Sequence, residues 1–365
     1  MKKTSIIFFA AGILWLGLAP FSASAASFYY GGWIPYWNKT LGTQDVVNRF
    51  NIKPFTDISP FSYEVKYDGT LVDKMKINEA PWTDFLVEAK KMKMKTTPSV
   101  ALFDADQIHY LLSNAKRRQA HEDIIAAMVV SNNFDGVDID YEAKDSADKD
   151  YFSTFIYGLY LRLHPKKKIL SCTIESRTPL SSLFTAGNVP KTVARANDLT
   201  KLNKYCDQIR VMAYDQAFVD LKLNESKGTG RFYAPVADPD WVKKVLQETL
   251  KEVSAKKIML GIPTYGYEYQ VTLGGEKPVY KRIRSIGFKD AMALATSTNG
   301  ILTRNSAGEL SFTYNITATS TRLVWFSDAK AVEDKIKLAK KMGLRGVFFF
   351  KFDGENDPLI WEKMK

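Results

Sequence analysis

The chain of 365 residues has few of the residue types that build disulfide scaffolds or metal sites. It contains two cysteines and three histidines. Two cysteines cannot supply the set of cross-links that stabilises small disulfide-rich domains. A structural zinc site needs a cluster of cysteine and histidine ligands, and the sequence has none. We therefore expect a chain that folds around an ordinary hydrophobic core, with no metal and no cofactor.

Long apolar segments are also absent, apart from one near the N-terminus. Residues Ile6 to Leu18 form an apolar run that is short for a bilayer span. Two lysines precede it, and Ala23-Ser24-Ala25 has the small-x-small pattern that signal peptidase accepts. We predict a secretory signal peptide at residues 1–25, a mature chain that begins at Ala26, a secreted or cell-wall location and no stable membrane insertion after cleavage. An uncleaved membrane anchor is the alternative.

The sequence does not fix the state of Cys172 and Cys206. Secretion permits a disulfide bond between them. Free cysteine is also among the most buried residue types. We expect two buried free thiols, with the disulfide as the alternative.

The charge of the chain is strongly positive. The net charge is +11, and loss of the two lysines in the signal segment reduces it to +9. A basic protein can attract nucleic acid or another polyanion, but a signal peptide argues against a nucleic-acid partner. The remaining explanations are a lysine-rich solvated surface and attraction to an anionic cell wall or to another acidic polymer.

Short segments with strand character alternate with longer amphipathic segments along the mature chain. The strand candidates are Phe28–Trp33, Asp57–Tyr63, Lys95–Val100, Gly136–Tyr141, Ile169–Glu175, Gln208–Tyr214, Lys257–Gly261 and Arg345–Phe350. Helix candidates include Trp82–Met92, Glu122–Val130, Asp150–Leu163, Trp241–Val253 and Ala329–Met342. Eight strands with helical crossovers predict an α/β fold, a (β/α)8 TIM barrel. An open doubly wound sheet has the same alternation, but no glycine-rich phosphate loop follows the first strand.

One interval is too long for a simple crossover. Residues 268–323, between the seventh and eighth strands, contain hairpin-like alternation at Pro278–Arg282 and Leu310–Tyr314 and a helical stretch near Phe288–Ala295. We predict a small α+β insertion within a catalytic barrel of residues 26–365. Active sites of such barrels lie at the C-terminal ends of the strands, so an insertion at this rim would deepen a pocket into a groove.

The strongest functional signal is the run Phe134-Asp135-Gly136-Val137-Asp138-Ile139-Asp140-Tyr141-Glu142. Alternate side chains of a strand share one face, so Asp138, Asp140 and Glu142 should point into the barrel and end at its mouth. Stacked carboxyl groups cannot all ionise cheaply, so at least one pKa must rise. Such a site keeps a carboxylic acid protonated near neutral pH. A surface strand edge or a calcium site is the alternative, but a calcium loop needs glycine spacing that is absent.

This run resembles the signature of glycoside hydrolase family 18, the chitinases and their relatives. That signature is aspartate-glycine-x-aspartate-x-aspartate-aromatic-glutamate on the fourth barrel strand. Met212-Ala213-Tyr214-Asp215 resembles the family's sixth-strand motif, and the run Gly261-Ile262-Pro263-Thr264-Tyr265-Gly266 resembles its seventh-strand motif. The resemblance extends over essentially the whole mature chain.

The resemblance implies a mechanism in which the substrate supplies the nucleophile. Glu142 protonates the glycosidic oxygen and later deprotonates water. The 2-acetamido oxygen of the substrate attacks C1 and forms an oxazolinium ion with retention of configuration after hydrolysis. Asp140 holds the acetamido N–H and stabilises the cation. Asp138 exchanges a proton with Asp140.

Further roles also follow from the resemblance. Tyr214 donates a hydrogen bond to the acetamido oxygen, Asp215 contacts sugar hydroxyls or supports the acid, and Met212 lines the pocket floor. Two positions depart from the family pattern. Phe350 occupies the place of the usual tryptophan that ends the eighth strand, and the third strand keeps Ser99 but not the paired glycines that commonly follow it.

Aromatic side chains near the strand ends are candidates for sugar contacts. They are Tyr36, Trp37, Phe103, Tyr265 and Trp325. Each such ring is also a candidate for the ordinary core. Gln216, directly after Asp215, is a weaker candidate for a hydrogen bond to a sugar hydroxyl.

These residues favour an active hydrolase of chitin or chitooligosaccharides. The second hypothesis is a cell-wall hydrolase that acts on the N-acetylglucosamine of peptidoglycan, because several bacterial members resemble the run Gly32-Trp33-Ile34-Pro35-Tyr36-Trp37. Those members often carry lysin repeats, which are not visible here. The third hypothesis is a sugar-binding lectin on an inactive barrel. Such relatives usually lose the position of Glu142, which is present. The expected partners are therefore chitin, chitooligosaccharides or peptidoglycan glycan strands.

Overall fold

The computed structural model of the protein describes residues 28–37, 55–228, 232–273, 278–317, 320–352, 354 and 356–364. The predicted signal peptide at residues 1–25 and the predicted first mature residue, Ala26, lie outside these ranges. Within the ranges, every helix is too short or too polar to cross a bilayer.

The described strands form two sheets. In chain order the strands are β1 (Tyr29–Pro35), β2 (Asp57–Phe61), β3 (Tyr63–Val65), β4 (Leu71–Asp73), β5 (Lys95–Thr96), β6 (Ser99–Leu102), β7 (Gly136–Tyr141), β8 (Ile169–Glu175), β9 (Gln208–Met212), β10 (Ile258–Pro263), β11 (Tyr265–Thr272), β12 (Val279–Gly287), β13 (Thr303–Arg304), β14 (Leu310–Thr317), β15 (Ser320–Phe326) and β16 (Gly346–Phe350). The larger sheet has the order β4-β3-β6-β7-β8-β9-β10-β16-β1-β2-β5. It is parallel except for the short β3–β4 hairpin.

The larger sheet curls until its two ends meet. β2 and β3 are parts of one strand interrupted at Ser62, and β5 and β6 are parts of the next, interrupted at residues 97–98. β2 pairs with β5 and β3 pairs with β6, while β1 pairs with both β2 and β16. The pairing is therefore that of a (β/α)8 barrel. The predicted parallel sheet with helical crossovers is confirmed, and every strand candidate overlaps a strand of this sheet.

Helices connect the strands and cover the outside of the sheet. The α-helices are α1 (Trp82–Lys91), α2 (Ala105–Ser113), α3 (Ala115–Ser131), α4 (Lys149–Leu163), α5 (Leu180–Leu183), α6 (Leu199–Tyr205), α7 (Leu221–Gly228), α8 (Pro239–Thr249), α9 (Phe288–Ser297) and α10 (Ala329–Lys341). Short 3-10 helices occur at Ser146–Asp148, His164–Lys166, Ala255–Lys257 and Pro358–Met364. Local sequence sets the start of α8, because the Asp238 side chain accepts from the Asp240 N–H and a proline takes the first helical position.

The chain between β10 and β16 forms a second sheet with the order β12-β11-β15-β14-β13, in which all strands are antiparallel. Its strands run from Tyr265 to Phe326, three residues beyond each of the expected bounds, 268 and 323. Helix α9 packs on this sheet around a small core of its own. That core contains Ile286, Ala291, Ala295, Phe312, Val324 and Phe326.

A buried carboxylate joins the small sheet to the barrel. Glu309 accepts hydrogen bonds from the backbone N–H groups of Val236 and Ala237, each at 3.0 Å. Its Oε1 lies 3.6 Å from the ammonium group of Lys335 in α10, and both side chains are fully buried. Removal of one partner from a buried ion pair is strongly unfavourable. The two parts of the chain are therefore linked through their interior and not only at their surfaces.

The expectation of free thiols is wrong. Cys172 in β8 and Cys206 after α6 form a disulfide bond, with 6.2 Å between their Cα atoms, and both residues are fully buried. The reason is the sheet register. Strands β8 and β9 are parallel neighbours in which Cys172 lies opposite Ile209. Cys206, two positions before the start of β9, therefore comes beside Cys172 although 34 positions separate the two cysteines.

We expect this bond to stabilise the fold. A cross-link that closes a loop of 34 residues should contribute roughly 3–4 kcal/mol by restricting the unfolded chain. The double variant Cys172→Ala/Cys206→Ala should lose about this much free energy of unfolding in urea titration. Cys172→Ala alone should lose a similar amount, because either change breaks the bond. A single variant as stable as the unmodified chain would contradict the stabilising role.

Candidate active site

Strand β7 carries carboxyl groups from the barrel interior to its mouth. Asp138 and Asp140 are buried. Tyr141, between them and Glu142 along the chain, lies on the outer side of the sheet and stacks on Phe155 of α4, with 5.4 Å between ring centroids. Glu142 directly follows the strand and is partly exposed. The alternation of inward and outward side chains explains why three carboxyl groups come close together.

Asp138 is surrounded by hydrogen-bond donors. Its Oδ2 accepts from Trp33 Nε1 at 3.0 Å and from Ser99 Oγ at 2.8 Å, and its Oδ1 accepts from Thr173 Oγ1 at 2.8 Å. Arg210 Nη1 lies 3.2 Å from Oδ2, and the two charged side chains are fully buried. An indole N–H and a guanidinium group can only donate. These contacts therefore favour Asp138 as a carboxylate.

Arg210 was not among the predicted site residues. Its guanidinium group donates to Ser59 Oγ, to Thr97 Oγ1 at 2.8 Å and to Gln208 Oε1 at 3.3 Å. The guanidinium carbon also lies 3.7 Å from the centre of the Phe348 ring. The sequence could have identified Arg210. It shares one face of β9 with Gln208 and Met212, and that face points into the barrel.

Asp140, unlike Asp138, lies in surroundings that favour its protonated form. Burial, followed by the negative charges of Glu142 and Asp138, raises the pKa of Asp140 well above its usual value. Its Oδ1 is buried and has no hydrogen-bond partner in the part of the chain that the structure describes. A buried oxygen without a partner is unfavourable. The raised pKa favours the protonated form of Asp140, and its unpartnered oxygen is in position to bind a polar group of a ligand.

Glu142 is tuned for proton transfer near neutral pH. Burial raises the pKa of Glu142 to about 6, with a further contribution from the negative charge of Glu175. The positive charge of Lys144 acts in the opposite direction. A group with a pKa close to the working pH is best suited to give and take a proton. Glu142 can therefore act as a general acid and then as a general base.

Glu175 and Lys144 are site residues that sequence reasoning missed. The Lys144 ammonium group is fully buried, donates to the carbonyl of Tyr141 and lies 3.4 Å from Glu175 Oε1. Glu175 also accepts a hydrogen bond from Asn197 Nδ2 at 2.8 Å. Glu175 ends β8, and the C-terminal ends of barrel strands are where functional residues collect. The place of Glu175 at the end of a predicted strand was the feature of the sequence that could have identified it as a site residue.

Two tyrosines orient Asp215. The hydroxyl groups of Tyr265 and Tyr267 donate to Asp215 Oδ1 at 2.5 and 2.6 Å. The Tyr214 hydroxyl has no hydrogen-bond partner among residues in the described ranges. Burial and the neighbouring carboxyl group of Asp140 raise the pKa of Tyr214 well above its usual value. Tyr214 therefore stays protonated and can donate a hydrogen bond to a ligand.

Phe350 lies beside Tyr214 at the end of the eighth barrel strand. The two rings stack with 5.6 Å between centroids and 22° between planes, and the Trp33 ring meets Phe350 edge-on at 6.1 Å. Met212, two residues before Tyr214 in the sequence, is partly buried. A Cβ atom at Gly261 would lie 2.5 Å from the carbonyl oxygen of Val211 and 2.9 Å from Tyr214 Cε1. Glycine at this position therefore allows the close approach of both the neighbouring strand and the tyrosine ring.

The rim of the barrel carries two exposed aromatic rings. The exposed fractions are 48% for Trp37 and 51% for Phe103. The buried Phe61 ring lies between them, 5.4 Å from Trp37 edge-on and 6.2 Å from Phe103 in a stacked arrangement. Tyr36 is instead half-buried, and its hydroxyl donates to Glu64. Trp37 and Phe103 are therefore the aromatic candidates that remain available to a sugar.

Two predicted sugar contacts are wrong. Gln216 is fully buried, donates to the Tyr233 hydroxyl at 3.1 Å and accepts from the Asp238 N–H at 2.8 Å. Trp325 is 1% exposed and its indole N–H donates to Glu309 at 2.5 Å. Both side chains lie at the junction between the barrel and the small sheet, where their polar groups already make hydrogen bonds within the protein.

The sequence as a whole matches a known family model. The model described as "Glycosyl hydrolases family 18" matches residues 27–355. The chain belongs to glycoside hydrolase family 18. It is thus a glycosidase by family. In this family 18 protein, the run from Phe134 to Glu142 carries the three neighbouring carboxyl groups of Asp138, Asp140 and Glu142.

Named relatives of this family 18 protein fall into more than one class. The chain is 25% identical over 298 residues to the uncharacterised glycosylase YvbX of Bacillus subtilis, covering 79% of each protein. It is 25% identical over 314 residues to the cortical fragment-lytic enzyme of Bacillus cereus, covering 85% of this chain and 67% of that one. The crystal structure of a chitinase from Chromobacterium violaceum shares the fold, with a TM-score of 0.73 and 22% identity over 92% of this chain and 98% of that one.

The charges around Glu142 predict opposite shifts of the pH profile. A general acid is active when protonated, so kcat/KM should fall as the pH rises through about 6. Glu175→Gln removes a negative charge that raises the pKa of Glu142, so the alkaline limb should move to lower pH. Lys144→Met removes an opposing positive charge and should move that limb to higher pH. The measurement is kcat/KM against pH on one N-acetylated oligosaccharide. Shifts in the same direction would contradict this electrostatic account.

The Asp138–Arg210 pair predicts a non-additive effect on stability. Asp138→Asn and Arg210→Met each leave one buried charge without its partner, and each should cost about 3–5 kcal/mol of unfolding free energy. The double variant should cost clearly less than the sum, because it removes both charges. Urea unfolding of the four proteins measures this coupling. Additive costs would show that the two groups do not stabilise each other.

Proposed function

We propose that the protein is a secreted glycoside hydrolase that cleaves β-linked glycans containing N-acetylglucosamine, by a retaining and substrate-assisted mechanism. The observation that carries the proposal is the pair formed by Glu142 and Asp140. Glu142 has a pKa of about 6, and Asp140 presents a buried oxygen that lacks a hydrogen-bond partner within the described ranges. One group suits proton transfer, and the other suits recognition of a substrate amide.

The proposed first step breaks the glycosidic bond. Glu142 gives its proton to the glycosidic oxygen, and the leaving sugar departs with the bond's electron pair. The carbonyl oxygen of the substrate's 2-acetamido group attacks C1 and forms a cyclic oxazolinium ion. Asp140 accepts a hydrogen bond from the acetamido N–H, and Tyr214 donates one to the acetamido oxygen. Family 18 is a known exception to the scheme in which a second protein carboxylate attacks C1.

The proposed second step returns the site to its starting state. Glu142, now a carboxylate, removes a proton from water, and the resulting hydroxide adds to C1 and opens the oxazolinium ring. The face that water attacks is the face that the leaving group left, so the configuration is retained. The positive ring is favoured by the negative charge of Asp138, which Arg210 holds in place.

Chitooligosaccharides and peptidoglycan strands both contain the required acetamido group. Relatives named as a chitinase and as a cortical fragment-lytic enzyme occur at similar levels of identity. The basic character of the chain, +9 without the two lysines of its first residues, favours attraction to an anionic wall. A cell-wall N-acetylglucosaminidase is therefore the second candidate. A lectin without activity is disfavoured, because Glu142 is present and its pKa is suited to catalysis.

The test of the mechanism is the variant Glu142→Gln. The amide has nearly the same shape but no acidic proton, so kcat should fall by at least ~10²-fold, while the circular dichroism spectrum and oligosaccharide binding are retained. Release of reducing ends from chitooligosaccharides measures turnover, and release of muropeptides from purified sacculi tests the second substrate. Cellooligosaccharides, which lack the acetamido group, serve as the control. Their efficient cleavage, or near-normal turnover by the variant, would refute the proposed mechanism.

A further inference from the structure

A cavity lies among the segments that follow β7 and β8. Its volume is about 280 Å³, and Glu252, which follows α8, completes its wall. Asn197 forms part of its wall and donates to Glu175 at 2.8 Å. Since Glu175 raises the pKa of Glu142, the cavity borders the catalytic cluster through this side chain. A space of this size is below the usual range for a whole drug-sized ligand and fits a substituent of a longer substrate.

The charged groups of this cavity do not balance. Lys149 lies 3.6 Å from the carboxylate of Asp198, and Arg177 lies 2.9 Å from that of Glu252. Each of these cations therefore has a carboxylate partner. Arg195 is the third cation of the lining. Its guanidinium group makes no hydrogen bond or ion pair with the residues that the structure describes.

Arg195 is a cation held partly out of water. It is half-buried, and burial and the neighbouring charge of Arg177 lower the pKa of Arg195, while the negative charge of Glu248 acts in the opposite direction. Arginine nevertheless stays protonated in proteins. A partly desolvated guanidinium group without a protein partner is best stabilised by an anion that it can bind with two parallel hydrogen bonds. Lys149 and Arg177 each have a carboxylate within ion-pair distance, whereas Arg195 has none among the described residues, so the cavity can hold one further anionic group beside Arg195.

We propose that this cavity binds a carboxylate carried by a substituent of an acidic glycan, and that Arg195 is the residue that recognises it. The inference rests on the proposed function and deepens it. The substrate would be a strand in which N-acetylglucosamine alternates with an amino sugar that bears a carboxylate directly or on an attached peptide. Arg195 would thus favour wall-type strands over uncharged chitooligosaccharides without taking part in the chemical step.

The experiment compares Arg195→Gln with the matched control Lys191→Gln. Lys191 is exposed on the same segment and is not part of the cavity lining, so its variant removes an equal charge from outside the site. The substrates are peptide-bearing peptidoglycan strands, strands freed of peptide by an amidase, strands whose carboxylates are converted to amides by carbodiimide, and chitotetraose. The quantities measured are KM and kcat for each.

The ratio of kcat/KM on peptide-bearing strands to that on chitotetraose should fall about ten-fold in Arg195→Gln, through KM, because one charge-assisted contact is lost. Amidation of the strands should remove the difference between this variant and the unmodified protein, and Lys191→Gln should keep the original ratio. A fall that persists on peptide-free strands assigns the carboxylate to the sugar, and a fall seen only with peptides assigns it to the peptide. Either result supports the inference.

Three outcomes would overturn the inference. The first is an unchanged ratio in Arg195→Gln. The second is an equal loss in Lys191→Gln, which would indicate general attraction between charges. The third is cleavage of chitotetraose with no cleavage of any acidic strand. That third outcome leaves the proposed hydrolase intact, whereas failure to cleave every N-acetylated substrate would refute the proposed function itself.

Discussion

The buried contact between Asp138 and Arg210 organises the interior of this barrel. The guanidinium group reaches Ser59 in the second barrel strand and Thr97 in the third, while Asp138 accepts from donors on three other strands. One ion pair therefore sets the relative positions of strands that lie far apart in sequence. Because Asp140 and Glu142 continue along the same face of β7, their positions depend on how firmly this pair is held.

The same pair also contributes to a difference in electrostatic surroundings among three neighbouring carboxyl groups. Asp138 has a cation beside it, whereas Asp140 has none within ion-pair distance among the described residues, and burial, followed by the negative charges of Glu142 and Asp138, raises the pKa of Asp140. Glu142 reaches the partly exposed mouth and keeps an intermediate pKa of about 6. A single strand thus holds an aspartate bound to a buried cation, an aspartate whose raised pKa favours its protonated form, and a glutamate that can exchange protons. The order along the strand follows from distance to Arg210 and to solvent.

Local patterns in the sequence were enough to predict the strands and the carboxyl run, since both depend on residues that are close along the chain. Contacts between distant segments were not predictable in this way. The Cys172–Cys206 bond depends on the register of β8 against β9, and the influence of Glu175 on Glu142 depends on two separate strand ends. Trp325 is of a residue type that often stacks on sugars, but its indole N–H donates to the buried Glu309. No local pattern in the sequence indicates that Glu309 is buried.

The carboxylate of Glu309 also limits how this chain can be re-engineered. It is the ion-pair partner of Lys335, a fully buried lysine on a barrel helix. A barrel from which the small sheet had been excised would keep that ammonium group in its interior with the carboxylate gone, at a cost of several kcal/mol. The small sheet is therefore not an exchangeable module. A chimera that grafts another groove wall onto this barrel must also replace Lys335 with an apolar residue.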